Sequence, residues 1–220
     1  CYIVYAPRGA EIEVSWFEAA VSYNNCGFGV AIIDDDRPQA AKFLRFEPFL
    51  EKVASLPSDV DRLIHMRFAT KGKISLENTQ PIVLGNRVIA HNGTIKDFGN
   101  ERISDSVDFS KRVLSNLSWE NLVAKRRELE EFLKYSKIVV AEVGKTLILN
   151  ERLGIWYNGC WHSTGEFITK DSDYNSSDYD ESFVVLDAIL RLKKIKKDWR
   201  LPEDLEEEIQ EVIDTLNWLL

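Results

Sequence analysis

Apolar and polar positions along this chain of 220 residues fall into blocks of two periods. CYIVYA is short and rich in β-formers, and reads as a strand that starts at the first residue. In SWFEAAVSY, Phe17, Ala20 and Val21 share a helical face, and Ser15 with Glu18 has capping-box spacing. GFGVAIID reads as a second strand entered through glycines. FEPFLEKVASLP reads as a short helix, with Pro48 in its first turn and Pro57 beyond its end. RLIHMRFAT and NRVIAHNGT read as two buried strands, each ending in a polar cluster.

The second half continues the alternation. SDSVDFSKRVLSNL opens on capping residues and sets Phe109, Val113, Leu114 and Leu117 on one stripe. SWENLVAKRRELEEFLKY reads as one longer amphipathic helix. KIVVAEVGKTLILN reads as a hairpin turning at Gly144-Lys145, and RLGIWYNGCWHST as another with Asn158-Gly159 in the favoured turn. Residues 171–182, DSDYNSSDYDES, lose all apolar periodicity and read as an acidic loop or linker. Two helical segments follow, near 183–198 and 203–219. The second carries Leu205, Ile209, Val212, Ile213, Leu216 and Leu220 at helical spacing, a packing surface toward the domain or a partner. Strands arriving in two batches, with helices between and after them, imply an α+β protein of layered sheets covered by helices. The expected division is one domain over 1–170, a linker over 171–182 and a helical extension over 183–220.

Composition narrows the function classes. The chain is 45% hydrophobic and 29% charged, with net charge −8. It is globular, and it lacks the clustered cations that a nucleic-acid partner needs. The one dense basic run, RLKKIKK over 191–197, is flanked by acidic stretches and reads as a solvated helix face. Cys1, Cys26 and Cys160 are odd in number without CxxC spacing, which fits reduced thiols in a cytoplasm. His65, His91 and His162 share no metal-ligand spacing, so no metal and no cofactor are expected. No apolar run approaches the roughly 18 residues of a membrane span, and no signal-peptide pattern opens the chain.

Four polar clusters carry candidate chemistry. A chain starting with cysteine is expected to have lost what preceded it, by initiator trimming or because the free amine is needed. An α-amino group titrates near 7.7–8 and a thiol near 8.5, so the amine of Cys1 can accept the proton of its own thiol. In HMRFATKG, Arg67 offers a planar fork suited to a carboxylate. In AHNGT, Asn-Gly signals a turn, yet the Asn92 amide and the Gly93 N–H can converge as an oxyanion hole. In SDSVDF, Asp105 just before a helix can hold an ammonium group besides helping the cap. Together these supply nucleophile, base, oxyanion donors and clamps for both ends of an α-amino acid. Glutamine answers that description and also offers an electrophilic amide carbon.

In this order along the chain, Cys1, NNCGFGVAI, HMRFATKG, ENTQP, AHNG and SDS resemble the class II glutamine amidotransferase domain of the N-terminal-nucleophile hydrolases. GCWHSTGEF resembles a later strand pair of that family more loosely. The resemblance implies a four-layer αββα sandwich, with the helical segment as a C-terminal extension. It implies that Cys1 attacks the glutamine side-chain amide to form a γ-glutamyl thioester. Asn92 and Gly93 would stabilise the oxyanion, Arg67 would hold the α-carboxylate and Asp105 the α-ammonium. Thr70 and Gly27 would line the pocket. Asn78 and Gln80-Pro81 read as loop-shaping positions. Phe68 stands where many members have Trp, and Lys71 where many have His. NNCGFG lacks an Asp often found before the glycine. These departures place the chain nearer the small stand-alone members.

The length accommodates the glutaminase domain and little else. The first expectation is a glutaminase subunit that gives ammonia to a separate synthase chain, or acts within a homo-oligomer. The second is a hydrolase of other γ-glutamyl amides or peptides. The third is a non-catalytic assembly subunit that kept the pocket. No nucleic-acid or membrane partner is expected.

Overall fold

All five residues of β1 (Tyr2–Ala6) are buried. A strand buried on both faces needs covering layers on each side, and β1 has them. The first sheet is antiparallel, in the order β3 (Pro38–Phe43), β2 (Phe28–Ile33), β4 (Asp61–Met66), β1, β10 (Cys160–His162), β9 (Ile155–Tyr157). The second has the order β5 (Ile82–Leu84), β6 (Arg87–Asn92), β7 (Lys137–Glu142), β8 (Lys145–Leu149). A computed structural model describes residues 1–34, 36–168, 192 and 202–218. Its contacts divide the chain into two units, Cys1–Thr169 and Lys170–Leu220.

The period-2 alternation of strands sorts the side chains of the first unit into three apolar layers. Tyr2, Val4 and Ala6 pack outward with Trp16, Phe17 and Ala20 of α1 (Ser15–Ala20) and with Phe49 and Val53 of α2 (Phe46–Ala54). Ile3 and Tyr5 face the other way and meet Val88, Ala90, Val139 and Ala141 of the second sheet. The outer face of that sheet, Ile89, Ile138 and Val140, is covered by α3 (Asp105–Arg112), α4 (Trp119–Ala124) and α5 (Arg126–Leu133) through Val107, Phe109, Leu122, Leu129 and Leu133. This is the expected αββα sandwich. Each fully buried large side chain contributes about 1.5–3 kcal/mol by leaving water.

Some local expectations need correction. Ser15 is not a capping residue: the N-cap is Val14, itself helical, with no side-chain cap bond. The chain enters α1 through a tight turn, Trp16 N–H donating to Glu13 O at 3.3 Å. The stretch read as one long helix is two, α4 and α5, broken at Lys125 (φ −92°, ψ 9°). Leu122, Leu129 and Leu133 keep one apolar spacing across the break, so the pattern conceals it. The first hairpin turns at Val143-Gly144, because Glu142 pairs with Lys145. The second turns at Asn158-Gly159 as expected, both residues having positive φ (46° and 72°).

The short strands β3 and β5 have no counterpart in the sequence expectations. β3 is an edge strand that begins with Pro38 and carries Gln39, Ala40 and Lys42, residues with little β-propensity. In the second unit, α6 (Glu203–Trp218) fills most of the 203–219 segment. Of its apolar stripe, Ile213 is buried while Leu205 and Val212 are exposed. The linker over 171–182 and nearly all of the 183–198 segment lie outside the described residues.

Candidate active site

Strand parity brings the polar candidates to one end of the gap between the sheets. Cys1 shares the parity of Ile3 and Tyr5, and His65 and Arg67 that of Leu63. Asn92 shares the parity of Val88 and Ala90, and Lys137 that of Val139. The register Tyr2↔Met66 sets Cys1 beside Arg67, and Asn92 pairs with Lys137. A pocket of about 220 Å³, open mouth included, lies there, lined by Cys1, Arg67, Phe68, Thr70, Lys71, Gln80, Gly93, Ser104, Asp105 and Ser106.

The sulfur of Cys1 lies against the backbone of Phe68. The Phe68 N–H donates to Sγ at 3.4 Å, and Sγ is 3.5 Å from Phe68 O. His65 lies fully buried beneath, its Nε2–H donating to His91 O at 3.1 Å. Burial, reinforced by the positive N-terminal amine, holds the His65 pKa well below the ordinary histidine value.

Arg67 is 2% exposed and already engaged. Nη1 donates to Lys73 O at 2.9 Å, and Nη2 to Lys71 O at 2.6 Å and Gly72 O at 3.2 Å. Burial lowers its pKa, opposed by Cys26 and Asp105. A guanidinium remains charged under such a shift and has five donors, so N–H groups on Nη1 and Nε remain for a ligand. Its first service is to shape the loop that walls the pocket. The 71–78 segment is tied to residues 98–102 ahead of Ser104: Gly72 N–H donates to Asn100 O at 2.9 Å, Lys71 Nζ to Phe98 O at 2.8 Å, and Asn78 Nδ2 to Arg102 O at 2.7 Å. Asn78 Oδ1 accepts from Ser104 N–H at 2.8 Å, which makes it the loop-shaping residue expected.

Asp105 is the first residue of α3 rather than one before it, and Ser104 is the N-cap, accepting from Val107 N–H. The Asp105 carboxylate accepts from Ile95 N–H at 2.7 Å and from Ser106 N–H at 2.8 Å. A carboxylate has about four acceptor sites, so capacity for an ammonium group remains. Ser106 also lines the pocket. Its Oγ lies 2.7 Å from His91 Nδ1 and accepts from Gln80 Nε2 at 3.1 Å. Burial lowers the pKa of His91 as well.

Gly93 lines the pocket with φ +132°, and a Cβ there would collide with the side chain and backbone of Ser136. Glycine is thus required both by backbone conformation and by close approach. Asn92, at the end of β6, directs Nδ2 to Ser163 Oγ at 2.8 Å and is not part of the pocket lining. Thr70 is an exposed lining residue. Gly27 does not line the pocket: at φ +136° it packs on Thr79, and its carbonyl accepts from Arg67 N–H at 2.7 Å. The pocket thus brings together Cys1, Arg67, Thr70, Gly93 and Asp105, with Asn92 adjacent and Gly27 behind.

Ser106, Ser163 and Lys137 carry no site signal in the sequence, and Gln80 reads there only as a loop-shaping position. Ser106 stands within the SDS motif, where it resembles a cap; nothing in the sequence marks the other three as neighbours. Among the described residues, no group of three or more His, Cys, Asp or Glu side chains converges to hold a metal, and no helix is long and apolar enough to cross a membrane.

No family model and no curated protein sequence matches the chain. Solved structures do. The fold is similar to that of a structure described as the allosteric regulatory enzyme of purine biosynthesis, with TM-score 0.52 and 14% identity over 74% of this chain and 41% of that one. Glutamine phosphoribosylpyrophosphate amidotransferase from B. subtilis gives TM-score 0.47 and 15% identity, again over 74% of this chain and 41% of that one. A glutamine aminotransferase class-II domain protein from Silicibacter pomeroyi gives 0.37 and 14%, over 64% and 73%. The chain spans about 41% of the length of the first two. The likeness is one of fold, and this chain's own fold is the αββα sandwich described above.

Proposed function

We propose that the chain is the glutaminase subunit of a class II glutamine amidotransferase, with Cys1 as an N-terminal nucleophile. The observation that carries this reading is that Cys1, Arg67, Gly93 and Asp105, drawn from four separate segments, line one small pocket. Glutamine enters with its α-carboxylate toward Arg67 and its α-ammonium toward Asp105. The Cys1 α-amine takes the thiol proton, and the sulfur attacks the side-chain carbonyl carbon. The oxyanion is held by the Gly93 N–H and the Asn92 amide. As the C–N bond breaks, the ammonium of Cys1 returns the proton to the leaving nitrogen, and ammonia departs. Water, deprotonated by the same amine, then cleaves the thioester to glutamate. A separate acceptor chain takes the ammonia, and thiols at Cys26 and Cys160 outside any disulfide suit a reducing cytoplasm.

Purified protein given glutamine should release glutamate and ammonia in equal amounts, with glutamine outcompeting γ-glutamyl dipeptides. Preference for the dipeptides would assign the pocket to γ-glutamyl peptide hydrolysis instead. One observation favours a second reading, a binding subunit without turnover: Arg67, Asp105 and Asn92 all bond within the protein. Covalent labelling of Cys1 by 6-diazo-5-oxonorleucine is expected under the first reading and not under the second.

A further inference from the structure

We infer that Ser163 is a positioning residue that sets the Asn92 amide relative to the strand of the nucleophile, an inference that rests on the proposed roles of Cys1 and Asn92. Ser163 follows β10 and is fully buried. Its Oγ accepts from Asn92 Nδ2 at 2.8 Å and from Ile3 N–H at 2.9 Å. Its own N–H donates to Ile3 O at 3.0 Å, and its carbonyl accepts from Lys137 Nζ at 2.7 Å. Ile3 lies two residues after Cys1 on the same face of β1. Lys137 is the register partner of Asn92 across β6 and β7.

One serine thus joins the nucleophile's strand in the first sheet to the oxyanion strand and its neighbour in the second. The sheets meet mainly through apolar side chains, which pack closely but carry little direction. A hydrogen bond supplies direction. Asparagine Nδ2 has two hydrogens. With one committed to Ser163 Oγ, the amide plane is fixed, and with it the aim of the second. Ser163 does not line the pocket, so it acts through Asn92 rather than on the ligand.

The test compares wild type, Ser163→Ala, Ser163→Thr, Asn92→Ala and the Ser163→Ala/Asn92→Ala double variant. Losing a whole oxyanion donor costs about 10²–10³ in kcat, and losing its aim is expected to cost about ten-fold. Ser163→Ala should show that loss in kcat for glutamine with KM nearly unchanged. Alkylation of Cys1 by iodoacetamide, which needs no oxyanion hole, should keep its rate. Ser163→Thr retains the acceptor and should recover most of kcat. In the Asn92→Ala background, Ser163→Ala should cost nothing further. Unchanged kcat, equal losses in turnover and alkylation, or additive losses in the double variant would overturn the inference. If Ser163→Ala does not fold, an inactive but folded Ser163→Thr overturns it and an active one supports it. The Asn92 side-chain NH2 signals in an amide NMR spectrum decide the link without turnover. One slowly exchanging proton in wild type that exchanges fast in Ser163→Ala supports it, and no difference overturns it. Wild type without glutamine turnover would remove the functional reading, while the NMR comparison still decides whether Ser163 orients the amide.

Discussion

The side-chain amide of Gln80 pairs with the backbone of His91 as a neighbouring strand would. Its Oε1 accepts from His91 N–H at 2.6 Å, and its Nε2 faces His91 O at 3.4 Å and donates to Ser106 Oγ at 3.1 Å. The β5–β6 register, Ile82↔Ile89, continued by two residues places Gln80 opposite His91. A side chain therefore extends the ladder at the point where the pocket begins.

Gln80→Leu leaves the buried His91 N–H without its acceptor, a loss of about 1–3 kcal/mol. Equilibrium urea unfolding should show it. The variant should also raise KM for glutamine, because Ser106 and Asp105 rest on the same network. An unchanged unfolding midpoint would mean that Gln80 does not bear on the ladder.

Gly93→Ala combines a strained backbone with a clash against Ser136. The expected outcome is a fall in kcat of about 10²-fold, the order of one displaced oxyanion donor, together with a lower melting temperature. Gly85→Ala is the control. Gly85 also has positive φ (61°), but a Cβ there meets nothing within 4 Å. It should lose stability and keep kcat, and equal kcat losses in both variants would argue against a donor at position 93.

The layered fold was readable because β1 is a continuous apolar run and β4, β6 and β7 each hold a shorter one, as doubly buried strands do. The edge strands β3 and β5 were not, while β8 and β9 were readable as hairpin arms; β3 gains its pairing from β2 rather than from its own residues. The lining of the candidate pocket was legible in the motifs that name Cys1, Arg67, Gly93 and Asp105, all of which meet there. The structural duties of the same side chains were not. Arg67 fixes the 71–73 loop, and Asp105 caps the Ile95 and Ser106 N–H groups, before either meets a ligand. Ser163 and Asn92 are 71 residues apart in the chain, and only the closing of the sandwich joins them.

Acid should destabilise the fold through its buried histidines. Burial lowers the His162 pKa to about 4, and His65 and His91 shift in the same direction. Each takes up its proton near pH 6.5 when unfolded but not when folded. The stability they contribute is therefore complete above pH 6.5 and is lost as pH falls toward 4. The slope approaches about 1.4 kcal/mol per pH unit for each group. Urea midpoints measured from pH 7 to 4.5 should fall, and less steeply for His162→Gln. A flat profile would contradict the neutral, buried state of these rings.

The central claim is that Cys1 acts through its own amine and thiol. The direct measurement is glutamine turnover by protein whose first residue is confirmed by mass spectrometry as Cys1, beside Cys1→Ala and a form retaining one Met ahead of Cys1. The account predicts glutamate and ammonia from the first alone, with all three melting at similar temperatures. Turnover by the Met-extended form or by Cys1→Ala at a comparable rate would contradict it.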